Sequence, residues 1–119
     1  MKKFLAIYLG TAESPAYKAW QALDDAGRQQ RQVAGASAWH EWMKQHAASL
    51  RDVGGPLGKT KSVTSRGVAD IRNPMSGYAI LEAESHEAAA RLFENHPHFS
   101  IFPGESVEIM EILPIPGQA

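Results

Sequence analysis

The segment Glu94-Asn-His-Pro-His-Phe99 carries two histidines on either side of a proline. Proline disfavours helical geometry in the residue before it, and in an extended stretch residues two apart point the same way. His96 and His98 could therefore share a proton or a metal ion. The same residues have a mechanical reading: Pro97 ends a helix, and a protonated His96 complements the negative end of that helix. His98, beyond the stop, is freer to reach a ligand and ranks above His96. Two imidazoles fall short of the three or four protein ligands of a zinc site, so no metal is assigned.

The remaining candidates lie elsewhere along the chain. His46 sits in a tryptophan-rich helical stripe, where burial would favour its neutral, basic form, and His40 flanks that stripe. His86 falls at a helix start, where solvent is its expected surrounding. Asp52, before Val-Gly-Gly-Pro, suits a general base at a loop mouth or a turn-forming carboxylate bonded to its own backbone. Tyr78 and Glu82 share one side of a strand, and with Asp52 they are the polar groups a histidine would need in a common pocket. Trp39 could stack on a ligand, but an aromatic residue at helical spacing on a buried stripe is usually core, and core packing is favoured for it and Trp42. There is no G-x-S-x-G, H-E-x-x-H or G-x-G-x-x-G pattern, and Gly58-Lys-Thr lacks the upstream glycine of a phosphate loop. Serine hydrolysis, zinc proteolysis and dinucleotide binding fall away, and no cofactor is expected.

Composition narrows the setting. The 119 residues, 44% hydrophobic and 21% charged, fit one domain spanning 1–119. Twelve basic against thirteen acidic residues lack the basic balance of a nucleic-acid binder. With no cysteine there is neither a disulfide framework nor thiolate chemistry. The opening Met-Lys-Lys followed by seven apolar residues imitates a secretory signal, but no A-x-A site follows and the run is far below the roughly 20 residues of a membrane span. It reads as a buried strand of a soluble, cytoplasmic protein with no membrane partner.

These groups must be placed by elements that the pattern predicts. Lys3 to Leu9 is apolar at nearly every position, a strand covered on both faces. Ser14 caps a helix with Pro15 at its first position, and Tyr17, Trp20 and Leu23 give it one apolar side. A second helical segment follows Asp24 or Asp25, weakened by Gly27 and Gly35, with Trp39, Trp42, Met43, His46 and Leu50 on one side. Asp52 to Thr60 reads as a loop, Lys59 to Ser65 as a strand, and Arg66 to Ser76 as a polar loop. Tyr78 to Glu84 is the next strand, Ser85 caps a helix from His86 to about Asn95, and Ser106 to Leu113 closes the set. Pro114 and Pro116 end that strand.

Strand, broken helical region, strand, strand, helix, strand is the α+β, ferredoxin-like β-α-β-β-α-β order. Ala79, Leu81 and Ala83 share one face of the third strand, opposite Tyr78, Ile80, Glu82 and Glu84; in the fourth, Val107, Ile109 and Leu113 oppose Met110 and Ile112. Neither face is plainly a water face. Two helical regions cover one side of a four-stranded sheet, so the other needs a partner, and a second copy is the economical choice.

The run Ala38 to Gly58, with its paired tryptophans and its D-x-G-x-P-L-G pattern from Asp52, precedes the GY-x-I-x-x-A-x-S strand from Gly77, the His-Pro segment and Glu105 to Pro114. In order and spacing the chain resembles the YCII-related group of small domains in the dimeric α/β-barrel superfamily. The resemblance implies a homodimer with two sheets facing each other around a small-molecule cavity. Some relatives carry a histidine near the start of the long helix and an Asp-Pro after the second; here Ala38 and Trp39 stand near the first place and His96-Pro97 at the second. The expectation is a homodimer with a ligand cavity between its sheet faces, or a lyase or isomerase passing protons between a histidine and an acid.

Overall fold

Burial alternates along the first strand, β1 (Lys2–Leu9): Phe4, Ala6 and Tyr8 are buried, while Leu5, Ile7 and Leu9 are half-covered. That alternation sets the architecture. The computed structural model describes residues 1–117. After β1 come α1 (Pro15–Ala22), α2 (Asp25–Gln45), β2 (Leu50–Pro56), β3 (Thr60–Thr64), β4 (Gly67–Ile71), β5 (Met75–Ala83), α3 (His86–Arg91), α4 (Pro97–Ser100) and β6 (Ser106–Glu111). Four strands form one sheet in the order β2-β5-β1-β6, with antiparallel pairing throughout, consistent with a ferredoxin-like α+β fold. The register aligns Leu81, Phe4 and Glu111 across the sheet, and next to them Ile80, Leu5 and Met110.

The first of these rows faces the helices. Phe4, Ala6, Tyr8, Ala79, Leu81, Ala83, Ala89, Phe93 and Trp42 form the buried core, with Trp39, Met43, Val107 and Ile109 packed on it. The Trp42 indole N–H donates to the Leu92 carbonyl at 2.8 Å, tying α2 to the end of α3. The second row faces away from the helices, and Met110 is 43% exposed there.

All three expected caps form. Ser14 accepts from the Tyr17 N–H, Asp24 from that of Gly27 and Ser85 from that of Ala88, each satisfying a donor that the first helical turn cannot pair. Other expectations need correction. The strand beside β5 is Leu50–Pro56, which takes in Leu50 from the expected helix and most of the stretch read as a loop, because an edge strand pairs on one side only and tolerates Gly54, Gly55 and Pro56. The Lys59–Ser65 strand exists as β3 but lies outside the main sheet; it pairs with β4, which falls inside the expected polar loop. The helix from His86 ends at Arg91 rather than about Asn95, the chain turns through Asn95 at φ 57°, and Pro97 then opens α4. Regular pairing in the last strand ends at Glu111, before either proline, with one further bond from Ile112 N–H to the Lys3 carbonyl.

Candidate functional site

Pro97 does not end the preceding helix, which stops at Arg91, but opens α4, and this decides the fate of both histidines. His96 is the N-cap of α4: its Nδ1 accepts the His98 backbone N–H at 3.0 Å. The hydrogen of the neutral ring is therefore on Nε2, which has no hydrogen-bond partner among the described residues. The ring is 1% exposed and lies edge-on between Trp39 and Trp42, at centroid distances of 4.5 and 4.6 Å. Burial, with the charges of His98 and His46 adding to it, pushes His96 down to about 3. It is a neutral, structural group.

His98 points elsewhere. Its Nε2 lies 2.8 Å from the Leu9 carbonyl, an acceptor, so Nε2 carries the hydrogen and Nδ1 is left as the basic nitrogen. Burial lowers its pKa, and the bond to Leu9 opposes that shift. The ring rests against Gly104, where a Cβ would come within 2.3 Å of the imidazole and 2.5 Å of the His98 carbonyl. Only glycine fits without moving His98.

His98 borders a cavity of about 650 Å³ between α2, β2 and the strand ends that hold Tyr8 and Gly77. Its wall is mainly aromatic and aliphatic, with Trp39, Met43 and Phe102 opposite Val53 and Pro56. The polar residues that border it include His40, Ser76 and His98. Tyr8, whose ring lies 5.0 Å from Trp39 and 5.2 Å from His98, joins the helix side to the sheet, and burial raises its phenol pKa.

The β2 edge holds a further polar pair. The Tyr78 hydroxyl donates to one Asp52 oxygen at 3.2 Å, and the other accepts the Gly54 N–H at 2.8 Å. Gly54 adopts φ +68°, where a Cβ would collide with the Tyr78 carbonyl, so this tight turn requires glycine. The bond to Asp52 and its negative charge raise the Tyr78 pKa, keeping the phenol protonated with its oxygen lone pairs free to accept.

Of the residues expected from sequence, His98, His40 and Trp39 line one cavity; Tyr78 borders it from a position paired with Ile7, so its side chain and that of Asp52 lie toward the sheet face away from the helices. His46 does not. It tilts against Trp42 at 5.1 Å, in a separate shallow hollow with Arg91 and Glu94. Glu82 is also elsewhere, bound by the Arg51 guanidinium at 3.0 Å. His86 is exposed as expected, and its ring also stacks on Phe4 at 5.5 Å, with its Nε2 2.7 Å from the Ile109 carbonyl. Tyr8, Met43 and Phe102 line the cavity without having been singled out. For Tyr8 the available signal is a phenol within an aliphatic strand; Phe102 offers none. The cavity lies on the helix side of the sheet, whereas the expected one lay between two sheet faces. Among the described residues no three His, Asp or Glu side chains converge to hold a metal ion, and no helix is long and apolar enough to cross a membrane.

No family model matches the chain, and no curated protein does. Among solved structures it is similar to 5-chloro-2-hydroxyhydroquinone dehydrochlorinase from Burkholderia phenoliruptrix AC1100, in a complex with 2,5-dihydroxybenzoquinone. The TM-score is 0.53 at 17% identity, over 91% of this chain and 90% of that one. At this identity the likeness speaks for the fold, and it supports a YCII-like one.

Proposed function

We propose that the chain forms a cytoplasmic homodimer, as a dimeric α/β barrel, and binds a small, planar, hydroxyl-bearing organic molecule in the cavity between α2 and β2. The observation that carries this reading is the convergence of Tyr8, Trp39, His40 and His98 on one largely apolar hollow. Such pockets bind through apolar walls and orient their ligand through a few placed polar groups. Flat aromatic walls favour a ring. His40 and His98 are the imidazoles on that wall, and the ligand is expected to offer a hydroxyl to one of them. The similar dehydrochlorinase holds a hydroxylated quinone, which agrees in kind.

Calorimetric titration with a panel of dihydroxybenzenes and 2,5-dihydroxybenzoquinone tests this, with cyclohexanediols as non-planar controls. Planar compounds should bind, and Trp39→Ala should weaken them about tenfold, a loss of roughly 1.4 kcal/mol. Equal binding of flat and non-flat rings would sink the assignment.

A second reading, a lyase or isomerase, is favoured by His98, whose neutral ring borders the cavity. In it, the ring takes a proton from a carbon of the bound molecule and returns it to another atom of that molecule, so no oxidant is needed. Deuterium from solvent should then enter a bound ring compound with wild type and not with His98→Gln, provided the variant still binds it. Exchange that survives in His98→Gln would remove His98 from that role.

A further inference from the structure

Residues 57–74 leave the body of the protein at the cavity rim and return to it. The chain departs after Pro56, forms β3 and β4, and re-enters at Met75, with the Leu57 N–H bonded to the Ser76 carbonyl at 2.9 Å across the base. Side-chain bonds at the hairpin stay local: Lys61 to Asp70 at 2.6 Å and Asn73 to Thr60 at 3.2 Å. Every residue of β4 is exposed, and in β3 only Thr60 and Ser62 are half-covered. Directly paired Val63 and Val68 share one face, 75% and 67% exposed.

A free-standing two-stranded hairpin is marginal in water, and a bare pair of aliphatic residues on it marks a contact surface. Charge is divided in the same way. Residues 59–72 hold Lys59, Lys61, Arg66 and Arg72 against Asp70 alone, while the remaining chain holds eight basic against twelve acidic residues. The cationic hairpin stands off its own acidic body: the radius of gyration is 16.4 Å, against about 13.5 Å for a compact chain of this length. The uncovered sheet row of Ile80, Leu5 and Met110 in the same chain is aliphatic too.

We infer that the β3–β4 hairpin is an intersubunit arm whose Val63 and Val68 face lies on the acidic body of a second copy of this chain. Because Val53 to Pro56 and Ser76 to Tyr78, the roots of the arm, are walls of the cavity, docking of the arm fixes the rim of each binding site. The inference rests on the homodimer proposed above. Nucleic acid is the lesser fit for this face: Lys61 is neutralised by Asp70, and the exposed pair is aliphatic.

The test places a photo-crosslinking benzoylphenylalanine at position 63 of the full chain, with two differently tagged copies expressed together. Sedimentation at micromolar concentration is run on the same sample. A dimer whose crosslinked product carries both tags, joined through residues outside 57–74 of the other copy, is the expected result. A dimer with crosslinks only within one chain, or none, overturns the arm and leaves the homodimer standing. A monomer overturns both. The double variant Val63→Asp, Val68→Asp should raise the dimer dissociation constant at least tenfold; unchanged association with lost retention of a random DNA duplex would assign the hairpin to nucleic acid instead.

Discussion

The two faces of the four-stranded sheet are made from the same strands and nearly the same residue types, yet only one is finished. Toward the helices, Phe4, Ala6, Ala79 and Leu81 are sealed; one residue along, Leu5, Ile7 and Ile80 are half-open and Met110 is exposed. Composition does not separate them. What separates them is the layer on top: α2 and α3 cover the first, and none of the described residues covers the second. A strand as uniformly apolar as β1 is the kind that is buried on both faces, so the open side is where the proposed second copy would complete a core.

Trp42 offers the hardest blow to the finished face. It is buried against Phe93 and His96 and bonded to Leu92, so Trp42→Ala should cost about 3 to 5 kcal/mol in urea unfolding. Trp39, half-buried and facing the cavity, should cost less in stability and more in ligand binding. Equal losses for both would mean that the cavity wall is as structural as the core.

Adjacent residues in β6 compare the two faces directly. Ile109 packs on the helix side and Met110 on the other, so Ile109→Glu puts a charge into the core, a loss of about 2 kcal/mol or more. Met110→Glu should leave the far-ultraviolet spectrum of the fold in place and shift sedimentation toward monomer. If the two variants behave alike, the faces do not differ in the way their covering suggests.

How much of this could be read beforehand depended on the range of the forces involved. Ser14, Asp24 and Ser85 were legible as caps because a cap is settled within four residues. The two-faced strands were legible from side-chain alternation alone. β2 was hidden by Gly54, Gly55 and Pro56, which look like loop residues until a neighbouring strand supplies their bonds. β4 was hidden because its pairing is with β3 rather than with any core. For the site, His98, His40 and Trp39 were identifiable by type, but their meeting depends on α2 crossing the strand ends. His46 and Glu82 were equally plausible by type, and the packing of Trp42 and the reach of Arg51 drew them away.

The most gradual expected effect concerns His96, the most deeply buried titratable group of the finished face. Its pKa is held at about 3 in the folded chain, against about 6.5 when unfolded. Between those values the unfolded chain binds a proton that the folded one refuses, so stability falls as pH drops. Above about pH 6.5 neither state binds it, and the contribution is flat. The slope for one such proton is about 1.4 kcal/mol per pH unit, and His98, also lowered, adds in the same direction. Urea unfolding at pH 7, 6, 5 and 4 should show wild type losing stability faster than His96→Gln, which cannot titrate there. Glutamine removes the cap and lowers the whole curve, so the comparison is between slopes rather than heights. Parallel curves would show that His96 takes up its proton in the folded state, which would require an opening between Trp39 and Trp42.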